Sequence, residues 1–143
     1  MTSGEHSGFA AKATLDVDVF MSYEKETSHP DFIPSVLGLI TEPGLKLLDV
    51  GGASGVFLNE IMTAAGVPIE ATNLEYMGEY GPKQVSDQIQ FIEGSILESG
   101  IPDASYDLVT FRHILHHLVA DTVKETLANQ QHALGEMLRV VKP

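Results

Sequence analysis

Leu47-Leu48-Asp49-Val50-Gly51-Gly52-Ala53-Ser54-Gly55-Val56-Phe57-Leu58 passes from an apolar run closed by an acid, through a glycine-rich turn, into a helical pattern. This order of residue types predicts a buried parallel strand that meets a helix N-terminus. There, glycines let the backbone come close to a ligand and unpaired N–H groups are presented to it. Spacing then separates two cofactor classes. A dinucleotide fingerprint requires Gly-x-Gly-x-x-Gly, and the chain offers Gly51, Ala53 and Val56, so the third glycine is absent. Read as Asp-x-Gly-x-Gly-x-Gly, the stretch matches at Asp49, Gly51 and Gly55, with Ala53 for the middle glycine and Gly52 inside the turn. A nucleotide-like cofactor is the expected occupant, although glycine turns also serve as bare structural links.

The chain has 143 residues and no cysteine, the size of one domain that can own a core without staples. Eight basic against twenty acidic side chains give a formal charge of −12, a field that repels phosphate backbones and anionic headgroups. No nucleic-acid partner is expected, and the acidity reads as solubility. The start Met1-Thr2-Ser3-Gly4-Glu5-His6 lacks a basic region followed by an apolar one, and no apolar run approaches ~20 residues. No membrane span is expected, and a cytoplasmic location is.

Residues 1–14, rich in Ser, Gly, Thr and Ala, read as a flexible arm, and 15–143 as the folded domain. Leu15, Val17, Val19, Phe20 and Tyr23 form a short helix that docks as packing or as a lid. Pro30-Asp31 starts a helix through Phe32, Ile33, Val36, Leu37 and Ile40, which Pro43-Gly44 ends. Strands are expected over Lys46 to Val50, Ile69 to Leu74, Ile89 to Glu93 and Tyr106 to Phe111. Helices are expected over Ser54 to Ala65 and Asp121 to Val140, with a short one within Met77 to Gln88. This alternation predicts an α/β fold: a Rossmann-like parallel sheet of about four strands with helices on both faces.

In such a sheet ligands collect at the carboxyl ends of the strands. The second strand ends Ala71-Thr72-Asn73-Leu74-Glu75, the third runs Phe91-Ile92-Glu93-Gly94-Ser95-Ile96-Leu97, and the chain closes Ala133-Leu134-Gly135-Glu136-Met137-Leu138-Arg139-Val140-Val141-Lys142-Pro143. Between them lies Ile101-Pro102-Asp103-Ala104-Ser105-Tyr106-Asp107-Leu108-Val109-Thr110-Phe111-Arg112-His113-Ile114-Leu115-His116-His117-Leu118. Together with the glycine turn, these motifs resemble, in order over about residues 30 to 143, class I S-adenosylmethionine-dependent methyltransferases. The nearest likeness is to the small-molecule enzymes related to ubiquinone and menaquinone biosynthesis.

The resemblance implies an S-adenosylmethionine cofactor, a small-molecule acceptor and methyl transfer. Asp49, Gly51, Gly52, Ala53 and Gly55 would hold the cofactor. Asn73 stands where the family has an acid for the ribose hydroxyls, with Leu74 beside it and Glu75 two residues on. Ser95 stands where an acid holds the adenine amino group, and Ile96 would offer its N–H to the ring. Arg112 and His113 close the fourth strand, facing the methionine end or the acceptor. His113 is the first candidate for a general base and His116 the second. His113, His116 and His117 have a spacing that could face a metal, but Leu-His-His-Leu recurs as packing in the resembling family and no metal is expected.

Past Lys-Pro the family fold continues with a glycine turn, a fifth strand and an antiparallel pair. A chain ending at Pro143 is therefore expected to be incomplete at its C-terminus, with its fourth strand along an edge that invites a second copy or a partner chain. A second reading follows from this and from Asn73 and Ser95: a non-catalytic S-adenosylmethionine-binding or interaction subunit. A nicotinamide-dependent Rossmann protein is disfavoured by Val56.

Overall fold

The computed structural model describes residues 16–24 and 31–143. The expected N-terminal arm, Leu15 and Pro30 lie outside them. In chain order the elements are α1 (Val17–Tyr23), α2 (Phe32–Leu37), β1 (Leu45–Val50), α3 (Val56–Ala64), β2 (Ile69–Glu75), β3 (Gln90–Glu93), β4 (Leu108–Phe111) and α4 (Val123–Val140). Three 3-10 turns, Gly78–Lys83, Ile96–Glu98 and Leu115–His117, follow β2, β3 and β4.

The four strands form one parallel sheet in the order β3-β2-β1-β4. Asp49 pairs across to Asn73 on one side and Thr110 on the other, so the strand ends lie level and open onto the same rim. The strands are apolar on both faces because both are covered, as a parallel sheet requires. Leu48, Val50 and Leu74 meet α4 through Ala133, Met137 and Val140. Leu47 and Ala71 meet α2 and α3 through Val36, Phe57, Leu58 and Ile61. Leu47 and Leu48 are wholly buried, each stabilising the sheet by about 1.5–3 kcal/mol.

Where boundaries differ from expectation, local chemistry explains the difference. The third helix starts at Val56 because Gly55 adopts a left-handed φ of 84° and excludes Ser54. The last helix starts at Val123 because the Thr122 hydroxyl accepts from the Glu125 amide at 3.1 Å, an N-cap that ends the preceding chain. The short helix expected within Met77 to Gln88 is a 3-10 turn over Gly78–Lys83, with Pro82 inside it. The fourth strand begins two residues late, since Tyr106 turns its backbone outward. Tyr106 N–H donates to Val140 O at 3.0 Å, and its carbonyl accepts from Lys142 N–H at 2.8 Å. Val141 thereby forms a parallel bridge with Tyr106. The expected open edge is thus covered at its first residue, and β4 itself is an edge strand among the described residues.

Candidate active site

The glycine turn is shaped by backbone that side chains resist. Gly51 has φ 75° and Gly55 φ 84°, and a Cβ on Gly51 would stand 2.3 Å from the Ile114 side chain. The segment after β4 therefore closes directly over the turn, and only glycine leaves it room. Ala53, φ 50°, takes a left-handed conformation that costs a residue with a Cβ, and the end of β2 holds it there. Gly51 N–H donates to Leu74 O at 2.7 Å. Gly52 N–H donates to Asn73 Oδ1 at 3.0 Å, and Ala53 N–H to Glu75 Oε1 at 2.9 Å. Asn73 Nδ2 returns a bond to Ala53 O at 2.8 Å, and Gln84 Nε2 donates to the same carbonyl at 2.8 Å.

Over this turn opens a cleft of about 200 Å³. Gly51, Gly52 and Ala53 form its floor, Leu74 and Glu75 one side, and Ser95 and Ile96 another; Arg112, His113 and His117 come from beyond β4, and Phe20 and Glu24 from α1. Of the residues the sequence singled out, Gly51, Gly52, Ala53, Leu74, Glu75, Ser95, Ile96, Arg112 and His113 are thus brought together. Four are not in the wall. Gly55 lies beneath, against Ile89 and Gln84, and His116 is exposed outside while its neighbour His117 faces in. Asn73 is wholly buried with its amide committed to the turn and to Gln84. Asp49 is buried behind the turn, accepting from Thr110 Oγ1 at 2.8 Å.

Glu24 and His117 were not foreseen in the cleft, whereas Phe20 belongs to the short helix expected to dock as packing or as a lid. Nothing in the local sequence marks Glu24: its carboxylate accepts from the Ser54 hydroxyl and from Val56 N–H only because α1 packs against the start of α3. Phe20 sits edge-on to the buried Tyr80 with ring centroids 6.5 Å apart, which seats α1 on the 3-10 turn after β2. No sequence signal separates His117 from His116, since each has a leucine beside it in Leu115-His116-His117-Leu118.

Burial pushes the Asp49 carboxyl up to about 7, against the Thr110 bond and the Arg112 charge; Glu75 and Glu24 push the same way as burial. Burial likewise raises Glu75, against the amides of Met77, Ala53 and Tyr76. Three carboxyl groups thus lie near one another, and their like charges add to the effect of burial on Asp49. The Arg112 guanidinium lies over the Phe57 ring at 4.4 Å and the Phe32 ring at 5.8 Å, a cation–π seat that fixes it at the far side of the cleft. Ser95 accepts from Leu97 N–H at 3.1 Å, and its O–H is a donor as well.

A parallel doubly wound sheet with a glycine turn under a cleft at its strand ends is the architecture of a nucleotide-type cofactor domain. The family model of the methyltransferase domain matches residues 48–143, and the chain belongs to that family. A sterol 24-C-methyltransferase of Gibberella zeae is 32% identical over 121 residues, which are 80% of this chain and 29% of that protein. A second, from Yarrowia lipolytica, is 27% identical, again over 29% of its length; the chain spans under a third of either relative. Among solved structures, a SAM-dependent methyltransferase from Aquifex aeolicus shares the fold with a TM-score of 0.66 at 18% identity, over 91% of this chain and 69% of its own. An arsenic(III) S-adenosylmethionine methyltransferase from Chlamydomonas reinhardtii does so with a TM-score of 0.56 at 20% identity, over 71% of this chain and 36% of its own.

Proposed function

We propose that this domain binds S-adenosylmethionine in the strand-end cleft and serves methyl transfer to a small-molecule acceptor. The observation that carries the reading is the convergence of the turn backbone, the buried Glu75 and the Ser95–Ile96 corner on one acidic cavity. When bound, the cofactor supplies a methyl group already activated by a positively charged sulfur, so the protein mainly has to align donor and acceptor and keep water out. The residues present suit it. Gly51, Gly52 and Ala53 let the chain approach its methionine end, and Glu75 with Leu74 faces the ribose, the role the sequence offered to Asn73. Ser95 and Ile96 face the adenine, and Arg112 and His113 face the methionine carboxylate or the acceptor. Asp49 and Asn73 act from beneath by holding charge and shape. The relatives named for sterols, and apolar lining at Phe20, Met77, Ile114 and Leu118, favour an acceptor with apolar surface.

Calorimetric titration with S-adenosylhomocysteine tests this. Saturable binding is expected, with loss of at least ~10-fold in affinity for Glu75→Ala, since a charged hydrogen-bond partner contributes about 1.5–3 kcal/mol. A folded chain that binds neither S-adenosylhomocysteine nor S-adenosylmethionine overturns the reading. The second reading, a binding module without catalysis, is favoured by one observation: the Asn73 amide is committed to the turn and to Gln84 and supplies no carboxylate to the cleft. Binding without transfer to any of a panel of hydroxyl, phenol and sterol acceptors would support it.

A further inference from the structure

The two oxygens of the Glu75 carboxylate are held from two different segments. Ala53 N–H, in the glycine turn, donates to Oε1 at 2.9 Å, and Met77 N–H, at the start of the 3-10 turn after β2, donates to Oε2 at 2.9 Å. The spacing of those segments therefore sets the direction in which the carboxylate faces the cleft. Gln84 spans them. Its Nε2 donates to Ala53 O at 2.8 Å and to Tyr80 O at 2.9 Å, and Tyr80 N–H in turn donates to Met77 O at 3.1 Å. The orientation of this amide is fixed chemically, since only its nitrogen can sit between two carbonyls. Its Oε1 then accepts from Asn73 Nδ2 at 3.1 Å. Gly55 leaves the room the amide needs: a Cβ there would stand 2.8 Å from Gln84 Oε1. The motif glycine that lies outside the cleft wall thus serves this strut.

We propose that Gln84 is a positioning residue for ribose recognition: it holds the glycine turn and the 3-10 turn at the separation that aims Glu75 at the ribose hydroxyls. This rests on the cofactor reading above and deepens it by naming what gives the cleft its preference for a nucleoside with free hydroxyls. An ionised carboxylate accepts at about four sites, and the two amides use one on each oxygen. Both oxygens therefore keep capacity for a hydroxyl. Burial raises the Glu75 pKa, and the amides of Met77 and Ala53 oppose the rise, so the bonds that direct the group also favour its charged form. Charge-assisted bonds of this kind weaken steeply with misalignment. A shift of either segment costs Glu75 a partner and its aim together. The backbone stays joined without the strut, because Val85 N–H donates to Ser54 O at 2.9 Å. Loss of the Gln84 side chain should accordingly show in the recognition of the hydroxyls rather than in the presence of the fold.

The test is calorimetric binding of S-adenosylhomocysteine, and of its analogue lacking both ribose hydroxyls, to the whole chain, with the affinity ratio of the two as the readout. Wild type should favour the hydroxylated form by at least ~10-fold, and Glu75→Ala should bring the ratio close to unity. Gln84→Leu, similar in size but without the donors, should lower the ratio at least ~3-fold from wild type, and adding it to Glu75→Ala should lower it no further, since both act through one contact. A merely structural role would weaken both ligands equally and leave the ratio unmoved. Circular dichroism melting identifies the variants that are folded at the binding temperature. Gln84→Asn keeps the amide but is too short to span both carbonyls, and it carries the test where Gln84→Leu does not fold. An unchanged ratio in a folded Gln84 variant overturns the proposal and leaves the cofactor reading standing. Equal binding of the two ligands by wild type overturns it as well, since Glu75 then does not meet the ribose. Binding of neither ligand by folded wild type brings down the cofactor reading itself.

Discussion

Asp49 is a carboxyl with one side-chain partner, Thr110, in a volume it shares with Glu75 and Glu24, and its titration should register in the stability of the chain. Its pKa rises from 3.8 unfolded to about 7 folded. Between those values the folded carboxyl keeps a proton that the unfolded one has lost, so stability falls as pH rises through that window, by up to about 4 kcal/mol. Asp49→Asn is neutral throughout and can still accept from Thr110. It should match wild-type melting at about pH 3, below the unfolded pKa, and exceed it at about pH 8 in thermal unfolding followed by circular dichroism; equal melting at both pH values would refute the assignment. Asn73 is the opposite case, a buried amide with every bond used. Asn73→Ala strips Gly52 N–H of its partner and opens a small void, and should cost about 2–4 kcal/mol in denaturant titration. A cost near zero would show that the turn holds itself. The residue types at these positions were legible from the sequence, but their assignment to ligand or to scaffold was not. That distinction depends on which atoms neighbouring strands place beside them.

Helix α4 covers its face of the sheet by a row that repeats at helical spacing: Ala133, Met137 and Val140 are buried, while Leu127, Leu134 and Leu138 point away. Met137→Ala should cost about 2–5 kcal/mol in chemical denaturation, as a core truncation with a residual cavity does. Thr122→Ala, which removes only the cap, should cost about 1 kcal/mol, so the ratio of the two separates packing from capping. The long helix and the parallel strands were readable because each is several turns or residues of unbroken periodicity. Helix α1 was readable as apolar surface only. That Phe20 meets Tyr80 and that Glu24 caps the start of α3 depends on where seven residues dock, which no local pattern encodes.

At the scale of the molecule, charge is the dominant long-range term. Attractive contacts such as Lys83–Asp18 and Arg139–Asp103 lie at or near the surface and contribute little each, whereas twenty acids against eight bases repel across the whole fold. The Tm at pH 7.5 should therefore rise as salt increases from a few millimolar to about 0.15 M, where the screening length shrinks to roughly 8 Å. A Tm that falls instead would mean that the ion pairs outweigh the repulsion. No helix among the described residues is long and apolar enough to cross a membrane.

Alternation of apolar runs, glycine turns and helical patterns set the strands, their parallel pairing and the sheet end at which a cleft opens, because these follow from local periodicity and from the right-handed crossover that parallel strands obey. Tertiary structure alone decided that Asn73 supports the turn while Glu75 faces the cavity, that His117 rather than His116 looks inward, and that Glu24 joins the site. The reason is physical: two residues on one strand or two adjacent on a turn have the same local chemistry, and only the elements packed against them determine which side is buried.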